Sequence, residues 1–173
     1  MQIAAKREDV ELELVDLRDF PLPFFDEPKS PFREPSKNEI ALRWARKIAV
    51  LDAFVFVTGE YNHSIPASLK NALDYLYAEW NRKPAAFVAY GNAGGARGVE
   101  QLRLILVELQ VAPLRWAVHV VRFEFLDMLM NGKTFSDFPH LEQAADVMLD
   151  DLIWWGRTLR AGRLAAHEAD VQD

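Results

Sequence analysis

Two runs of apolar residues in the middle of this chain constrain its fold more than any other feature. Residues 53–58 and 85–90 are apolar without alternation, which is typical of strands covered on both faces of a parallel sheet. Each run is followed by a stretch whose apolar residues recur at helical spacing. A further strand over 117–125 and a long terminal helix, with apolar residues from 141 to 159, continue this order. The sequence therefore predicts an α/β fold with a parallel sheet, right-handed crossovers and helices on both faces.

The part of the chain before the first apolar run predicts less regular structure. Residues 10–14 alternate apolar and acidic side chains, which indicates a half-exposed strand at a sheet edge. Residues 21–37 contain five prolines and predict an extended loop, either a binding loop or a plain connection. Ser36 and Glu39 have the spacing of a capping box and predict a helix over 37–51.

A second helix is predicted after the apolar run at 53–58. Ser64 has the position of a helix cap and Pro66 lies in the first turn, so the helix should extend to about residue 81. Ser64 lacks the G-x-S-x-G context of a hydrolase nucleophile, which favours capping over catalysis. Later in the chain, Asn131 and Gly132 form a turn signal before the terminal helix.

Size and composition limit the classes of protein that the chain can represent. The 173 residues predict one domain over 1–173, because a domain usually has roughly 100–200 residues. The net charge of −6 argues against a nucleic-acid partner, since sequence-independent binders need clustered cations. The absence of cysteine excludes disulfides and thiolate chemistry. We expect a cytoplasmic protein without a membrane partner, because neither a signal peptide nor an apolar run of membrane-helix length is visible.

The loops after the two apolar runs form the candidate ligand site, because open α/β sheets bind ligands beyond the carboxyl ends of their strands. The first loop reads T-G-E-Y-N-H-S from Thr58 to Ser64. It leads into a helix N-terminus, which suits an anionic or electron-rich ligand. The second reads Y-G-N-A-G-G-A-R-G from Tyr90 to Gly98, and its four glycines permit either close approach to a flat ligand or tight turning. The pair of loops favours ligand binding.

Other motifs point away from metal and nucleoside-triphosphate chemistry. The chain has neither the G-x-G-x-x-G dinucleotide fingerprint nor a G-x-x-x-x-G-K-[ST] phosphate loop. Its four histidines have no metal-ligand spacing, so we predict no metal site. The adjacent acids Glu11 with Glu13, and Asp150 with Asp151, indicate solvated faces rather than a catalytic carboxylate pair.

Two consecutive motifs carry a resemblance to a known family. T-G-E-Y-N-H-S-I-P from Thr58 to Pro66, followed by L-K-N-A-L-D from Leu69 to Asp74, resembles the signature of the NADPH-dependent FMN reductase family of flavodoxin-like flavoproteins. That family shows T-P-E-Y-N-x-S-x-P and then L-K-N-A-[LI]-D. The resemblance continues through residues 90–97 to the terminal helix. Gly59 stands where the family usually has proline, a minor departure.

The resemblance implies an FMN-dependent NAD(P)H oxidoreductase that transfers a hydride to flavin, quinone or a similar small-molecule acceptor, with FMN and NADPH as cofactors. No catalytic acid or base is implied, because flavin carries the hydride chemistry. A homodimer or homotetramer with flavin near the interface is also implied, and Tyr75, Tyr77 and Trp80 could line that interface. The implied cofactor-binding residues are Thr58, Glu60, Tyr61, Asn62, Tyr90, Gly91, Asn92, Gly94 and Gly95.

One departure from the family concerns its first strand. The family begins with a buried strand and a G-S-x-R-x-x-S-like loop that holds the FMN phosphate, whereas nine residues precede residues 10–14 here. In the strand order two-one-three-four-five, the missing strand would lie between residues 10–14 and 53–58. A truncated or wrongly assigned start, upstream residues outside the given sequence, and a true variant that rebuilds the site by oligomerisation are three interpretations. We favour a shortened FMN reductase with weakened FMN binding.

Some alternatives stay open on the sequence alone. A flavodoxin-like scaffold or interaction protein that has lost flavin binding is the alternative to the enzyme, and a low-potential electron carrier is a third hypothesis. Arg97 could meet a cofactor phosphate or pair with Glu100. Tyr61 could stack on the flavin or pack at the strand end with its hydroxyl in water.

Overall fold

Three parallel strands form a sheet in the order β1–β2–β3, with helices on both faces. The computed structural model describes residues 3–172; Met1, Gln2 and Asp173, which the predicted domain includes, lie outside the described residues. The strands are β1 (Phe54–Gly59), β2 (Pro84–Tyr90) and β3 (Ala112–Val120). The helices are α1 (Glu39–Ala49), α2 (Ala67–Asp74), α3 (Ala96–Glu108), α4 (Arg122–Met130) and α5 (Pro139–Gln172). The predicted α/β fold with a parallel sheet is confirmed.

Two apolar clusters, one on each face of the sheet, hold the layers together. The first cluster joins α1, α2 and α3 to the sheet and contains Trp44, Trp80 and Phe87. The second joins α5 to β2 and β3 and contains Val118 and Met148. Burial of such side chains is the main favourable term in folding. The sheet between these clusters presents the ends of β1 and β2 side by side at its carboxyl edge, since Gly59 pairs in register with Tyr90.

β1 is the edge strand of the described sheet, and one of its faces is open. Val55 and Val57 are 37% and 68% exposed, whereas Phe54 on the opposite face is buried. The prediction that residues 53–58 are covered on both faces is therefore wrong. The reason is that α5 packs over β2 and β3 rather than over β1. For β2 the same prediction is confirmed, because nearly all of its residues are buried.

The strand predicted for residues 10–14 is absent. The segment has no regular secondary structure, and it pairs with no strand in the part of the chain that the structure describes. Ion pairs of side chains hold this part of the chain instead. Within the segment, the Nζ atom of Lys47 lies 2.6 Å from Glu13 Oε1. Just before the segment, Arg7 lies 2.6 Å from Asp150. Alternation indicates which side chains can face the protein, but a strand also needs a neighbouring edge for its backbone groups.

The extended loop predicted for residues 21–37 is confirmed, and it packs on α2. Phe25 N–H donates to Asn71 Oδ1 at 2.9 Å, and Asn71 Nδ2 donates to the Pro23 carbonyl at 2.8 Å. Phe25 also contacts Tyr75 edge to face. Tyr75 and Trp80 are only 1% exposed, so the expectation that these two rings line an oligomer interface is wrong. They belong to the core of the chain itself.

Helix α1 begins at Glu39, two residues after the predicted start. Its cap is Asn38, whose Oδ1 accepts the N–H groups of Ile40 and Ala41 at 2.9 and 3.3 Å. The predicted capping box on Ser36 is wrong. Ser36 is buried and its hydroxyl donates to Glu27, because the extended loop folds back over this position.

Helix α2 ends at Asp74 rather than near residue 81. Two indole groups donate to carbonyl oxygens of its last turns: Trp44 Nε1 to Ala72 O at 2.8 Å, and Trp80 Nε1 to Leu73 O at 3.3 Å. In a longer helix, these carbonyls would accept backbone N–H groups of the next turn. Here the indole groups donate to them. The apolar pattern continues past Asp74 because residues of the following turns also enter the core.

The boundary between β3 and α4 also differs from the prediction. β3 ends at Val120, and residues 122–125 of the predicted strand begin α4. Glu124 Oε2 accepts the Val121 N–H at 2.8 Å and so caps the helix start. The alternation of Val121, Phe123 and Phe125 with charged residues imitates a strand pattern.

Lys83, immediately before β2, is a buried lysine. Its side chain caps the C-terminal end of α1. Its Nζ donates to the carbonyl oxygens of Ile48 and Ala49, both at 2.8 Å. Burial lowers the pKa of Lys83 from 10.5 to about 8. A neutral amine keeps two N–H groups for the two carbonyls, so deprotonation breaks neither hydrogen bond. Between these two pKa values the unfolded chain binds a proton that the folded chain does not, and stability therefore rises with pH.

We expect the free energy of unfolding of the unchanged chain to rise between about pH 7.5 and about pH 9.5. This rise should be roughly 1–2 kcal/mol larger than the rise in Lys83→Met. Urea titrations at the two pH values measure this difference. Lys37→Met is the control, because the Lys37 side chain is 89% exposed and should not contribute. A Lys83→Met variant that keeps the full pH dependence would show that another group is responsible.

Candidate functional site

The carboxyl edge of the sheet brings the two glycine-containing loops into contact. We call residues 60–64, after β1, the first loop, and residues 91–95, after β2, the second loop. Glu60 N–H donates to the Tyr90 carbonyl at 3.2 Å, and Gly91 N–H donates to the Val120 carbonyl of β3 at 3.3 Å. The site therefore rests on the ends of all three strands.

The first loop is a tight hairpin turn. Tyr61 and Ser64 exchange both of their backbone hydrogen bonds, each at 2.9 Å, and Asn62 and His63 have φ values of 47° and 71°. Two successive positive φ values are typical of a type I′ turn. The predicted capping role of Ser64 is wrong, because the residue belongs to this hairpin and α2 starts after Pro66 without a side-chain cap. Tyr61 projects from the turn and is 66% exposed.

The second loop is built tightly around its last two glycines. Gly94 and Gly95 have φ values of 63° and 68°. A Cβ atom on Gly94 would lie 2.9 Å from His119 Cβ, and one on Gly95 would lie 2.7 Å from Ala89 Cβ. These glycines are thus required by turning and packing, whether or not a ligand is present. Asn92, at the tip of the loop, is exposed.

Glu60 and Arg97 link the first loop to the start of α3. Arg97 Nη1 donates to Glu60 Oε1 at 2.9 Å, and the Arg97 backbone N–H donates to Glu60 Oε2 at 3.2 Å. The Glu60 side chain is only 9% exposed. The pairing of Arg97 with Glu100 is therefore wrong, because the guanidinium pairs with Glu60. Its role toward a cofactor phosphate stays a prediction.

Two contacts of aromatic side chains at this edge, one with another ring and one with a carbonyl, do not follow from the sequence. The Tyr90 ring stacks on Phe125 of α4, with centroids 5.0 Å apart and planes at 12°, and it covers Gly59, where a Cβ would lie 3.1 Å from the ring. His119 Nδ1 lies 2.9 Å from the Gly94 carbonyl. Nothing local in the sequence marks these positions, because their neighbours are distant along the chain.

Backbone amides at the two turns are the clearest ligand-binding groups of the site. Within residues 3–172, the N–H groups of Asn62 and His63 in the first loop, and of Asn92 and Ala93 in the second, donate no hydrogen bond. Unbonded donors on two touching turns fit the electron-rich edge of a flavin ring. Thr58 is buried beneath the first loop, and its Oγ1 donates to the Gly59 carbonyl at 3.1 Å. The described residues thus offer donors of the kind that would hold the ring of FMN.

The part of the chain covered by the structure holds no group of three or more His, Asp or Glu side chains placed to bind a metal ion. None of the helices described in it is both long and apolar enough to cross a membrane. An open depression lined by Pro28, Phe32 and Arg33 lies in the extended loop, away from the sheet edge.

The fold and the two loops together define a flavodoxin-like α/β protein with a candidate ligand site at the carboxyl edge of its sheet. Two solved structures share this fold. The flavoenzyme NAD(P)H:(acceptor) oxidoreductase FerB from Paracoccus denitrificans has a TM-score of 0.65 at 22% identity, over 91% of this chain and 85% of FerB. The apo form of the NADH:FMN oxidoreductase EmoB has a TM-score of 0.59 at 20% identity, over 85% of this chain and 75% of EmoB.

The sequence comparison gives the family. The model of the NADPH-dependent FMN reductase family matches residues 1–124, so this chain belongs to the NADPH-dependent FMN reductase family. An NAD(P)H-dependent FMN reductase of Schizosaccharomyces pombe is 44% identical over 122 residues, 68% of this chain and 61% of that protein. A quinone reductase of Pseudomonas putida is 36% identical over 107 residues, 58% of this chain and 55% of that protein. The chain thus spans less than two thirds of the length of these relatives.

Proposed function

We propose that this chain binds FMN at the carboxyl edge of its sheet and passes a hydride from NAD(P)H to a flavin, a quinone or a similar small acceptor. Family membership and the names of the relatives, which include FMN reductases and a quinone reductase, support this proposal. The observation that carries it is the set of unbonded amides on two touching turns, at residues 62–63 and 92–93.

The residues of the chain have positioning and binding roles in this proposal. FMN, when bound, supplies the hydride chemistry, so the protein needs no catalytic acid or base. The amides of Asn62, His63, Asn92 and Ala93 would hold the electron-rich edge of the ring. Tyr61, exposed on the first loop, offers an aromatic surface for stacking.

A flavin titration tests the proposal. Visible spectra of the purified chain should change in a saturable way as FMN is added, and dye reduction by NADPH should exceed the rate given by free FMN. Because the amides of the two loops would hold the ring and not the phosphate, riboflavin should bind within about threefold of FMN. A flavin spectrum that stays that of free FMN would favour the scaffold. Reduction that occurs only through an added partner protein would favour the electron carrier.

Cellular location and assembly belong to the same proposal. We propose a cytoplasmic homodimer or homotetramer, on membership of the family. Light scattering coupled to size-exclusion chromatography measures the assembly, and a monomer over the whole concentration range would contradict it.

A further inference from the structure

Helix α3 receives its N-terminal cap from another element. Its N-cap residue is Gly95, which has no side chain to accept an amide. The Glu60 carboxylate fills this role across 37 residues, because its Oε2 accepts the Arg97 backbone N–H. The same carboxylate also accepts the Arg97 guanidinium through Oε1. A single side chain of the first loop thus makes two charge-assisted hydrogen bonds to the helix that follows the second loop.

The surroundings of Glu60 leave little room for another arrangement. A Cβ atom on Gly91 would lie 3.4 Å from Glu60 Cβ, and one on Gly98 would lie 3.2 Å from the Ser64 carbonyl and 3.7 Å from Glu60 Cα. Only small residues allow the first loop to lie this close to the second loop and to α3. The carboxylate is therefore held between two elements whose backbones are in near contact.

We propose that Glu60 and Arg97 are positioning residues that fix the two loops relative to each other before a ligand binds. The pair thereby fixes the first loop, with the free amides of Asn62 and His63, relative to the end of the second loop and the start of α3. A site assembled in advance binds more tightly, because less loop freedom is lost on binding. This inference rests on the proposed function for the identity of the ligand, and on the two hydrogen bonds alone for the fixing of the loops.

The two partners are not equivalent, which makes the inference testable. Glu60→Ala removes both hydrogen bonds, whereas Arg97→Ala removes the guanidinium bond and leaves the backbone amide to Glu60. We expect exchange of the hydrogen-bonded amides of both loops (residues 60, 61, 64, 91 and 94) in the ligand-free chain to quicken by about tenfold or more in Glu60→Ala and by less in Arg97→Ala. FMN dissociation constants should rise in the same order, by about tenfold or more for Glu60→Ala. Glu60→Gln, which keeps the shape of the side chain, should lie between the unchanged chain and Glu60→Ala.

An ion pair of similar length on α2 provides the matched control. Lys70 and Asp74 are 2.6 Å apart, and Asp74→Ala should leave both the exchange of the loops and FMN affinity unchanged. Unchanged exchange in Glu60→Ala, or unchanged FMN affinity in a chain that binds FMN, would overturn the inference. If the unchanged chain does not bind FMN, the proposed function fails, and the exchange data alone decide whether the pair fixes the loops.

Discussion

Gly95→Ala is expected to destabilise the chain by roughly 3 kcal/mol and to disrupt the second loop. Gly95 has a φ value of 68°, which L-residues with a side chain adopt at a penalty. The new methyl group would also lie 2.7 Å from Ala89 Cβ and 3.0 Å from the Tyr90 backbone nitrogen. Neither neighbour is the end of a flexible side chain, so β2 itself has to shift. Urea unfolding followed by far-UV circular dichroism measures the loss.

Two other glycines separate the backbone effect from the crowding effect. Gly132 has nearly the same φ value, 66°, but a Cβ there would meet nothing within 4 Å. Gly132→Ala should therefore cost only about 1 kcal/mol. Gly162, within α5 and equally open, should tolerate alanine with no loss. Equal losses for Gly95→Ala and Gly132→Ala would show that crowding against β2 is unimportant.

Trp80→Ala is expected to lower the free energy of unfolding by about 3–5 kcal/mol. The side chain is 1% exposed, and its ring lies 5.0 Å from that of Phe54 and 5.8 Å from that of Trp44, measured between centroids. Its Nε1 also donates to the Leu73 carbonyl at the end of α2. The substitution therefore leaves a cavity and removes one of two donors to this carbonyl, which also accepts the Leu76 N–H at 3.3 Å. Chemical denaturation monitored by circular dichroism measures the loss.

Two further variants test the reasons for this loss. Trp80→Phe keeps an aromatic ring but removes the N–H donor, so its loss should be smaller, about 1–2 kcal/mol. Trp154→Ala removes an indole that is 60% exposed and should change stability by less than about 0.5 kcal/mol. A Trp80→Ala variant as stable as Trp154→Ala would mean that the first cluster repacks around the missing ring.

The sequence predicts which helices and strands form the layers of this fold better than it predicts where those elements begin and end. The apolar run at 85–90 and the helical stripes reveal the buried strand and the helices, because burial on both faces or on one stripe leaves a local pattern. Residues 10–14 carry a strand pattern without forming a strand, since pairing depends on a neighbour that alternation cannot reveal. Val121, Phe123 and Phe125 alternate as in a strand, but Glu124 caps a helix there.

The candidate site could be located from the sequence, but its internal contacts could not. The chain positions of both loops follow from the ends of the apolar runs. The contact of Glu60 with Arg97 spans 37 residues, and the stacking of Tyr90 on Phe125 joins β2 to α4. Such contacts depend on how distant parts of the chain pack together, and no local sequence pattern reveals them. The roles of the nine predicted cofactor-binding residues stay predictions until flavin binding is measured.

The open edge of β1 has a consequence for the behaviour of the chain in concentrated solution. Residues Phe54–Gly59 form a strand that contains no charge and no proline, and its outer edge pairs with no other strand among the described residues. Edge strands in natural proteins are usually guarded by lysine, proline or a bulge, because unguarded edges recruit other chains. Solubility is therefore expected to be restricted by these six residues, even though the net charge of −6 keeps chains apart at long range. Aggregation would begin at this strand, and a chaperone or a bound strand that covers it would protect the chain.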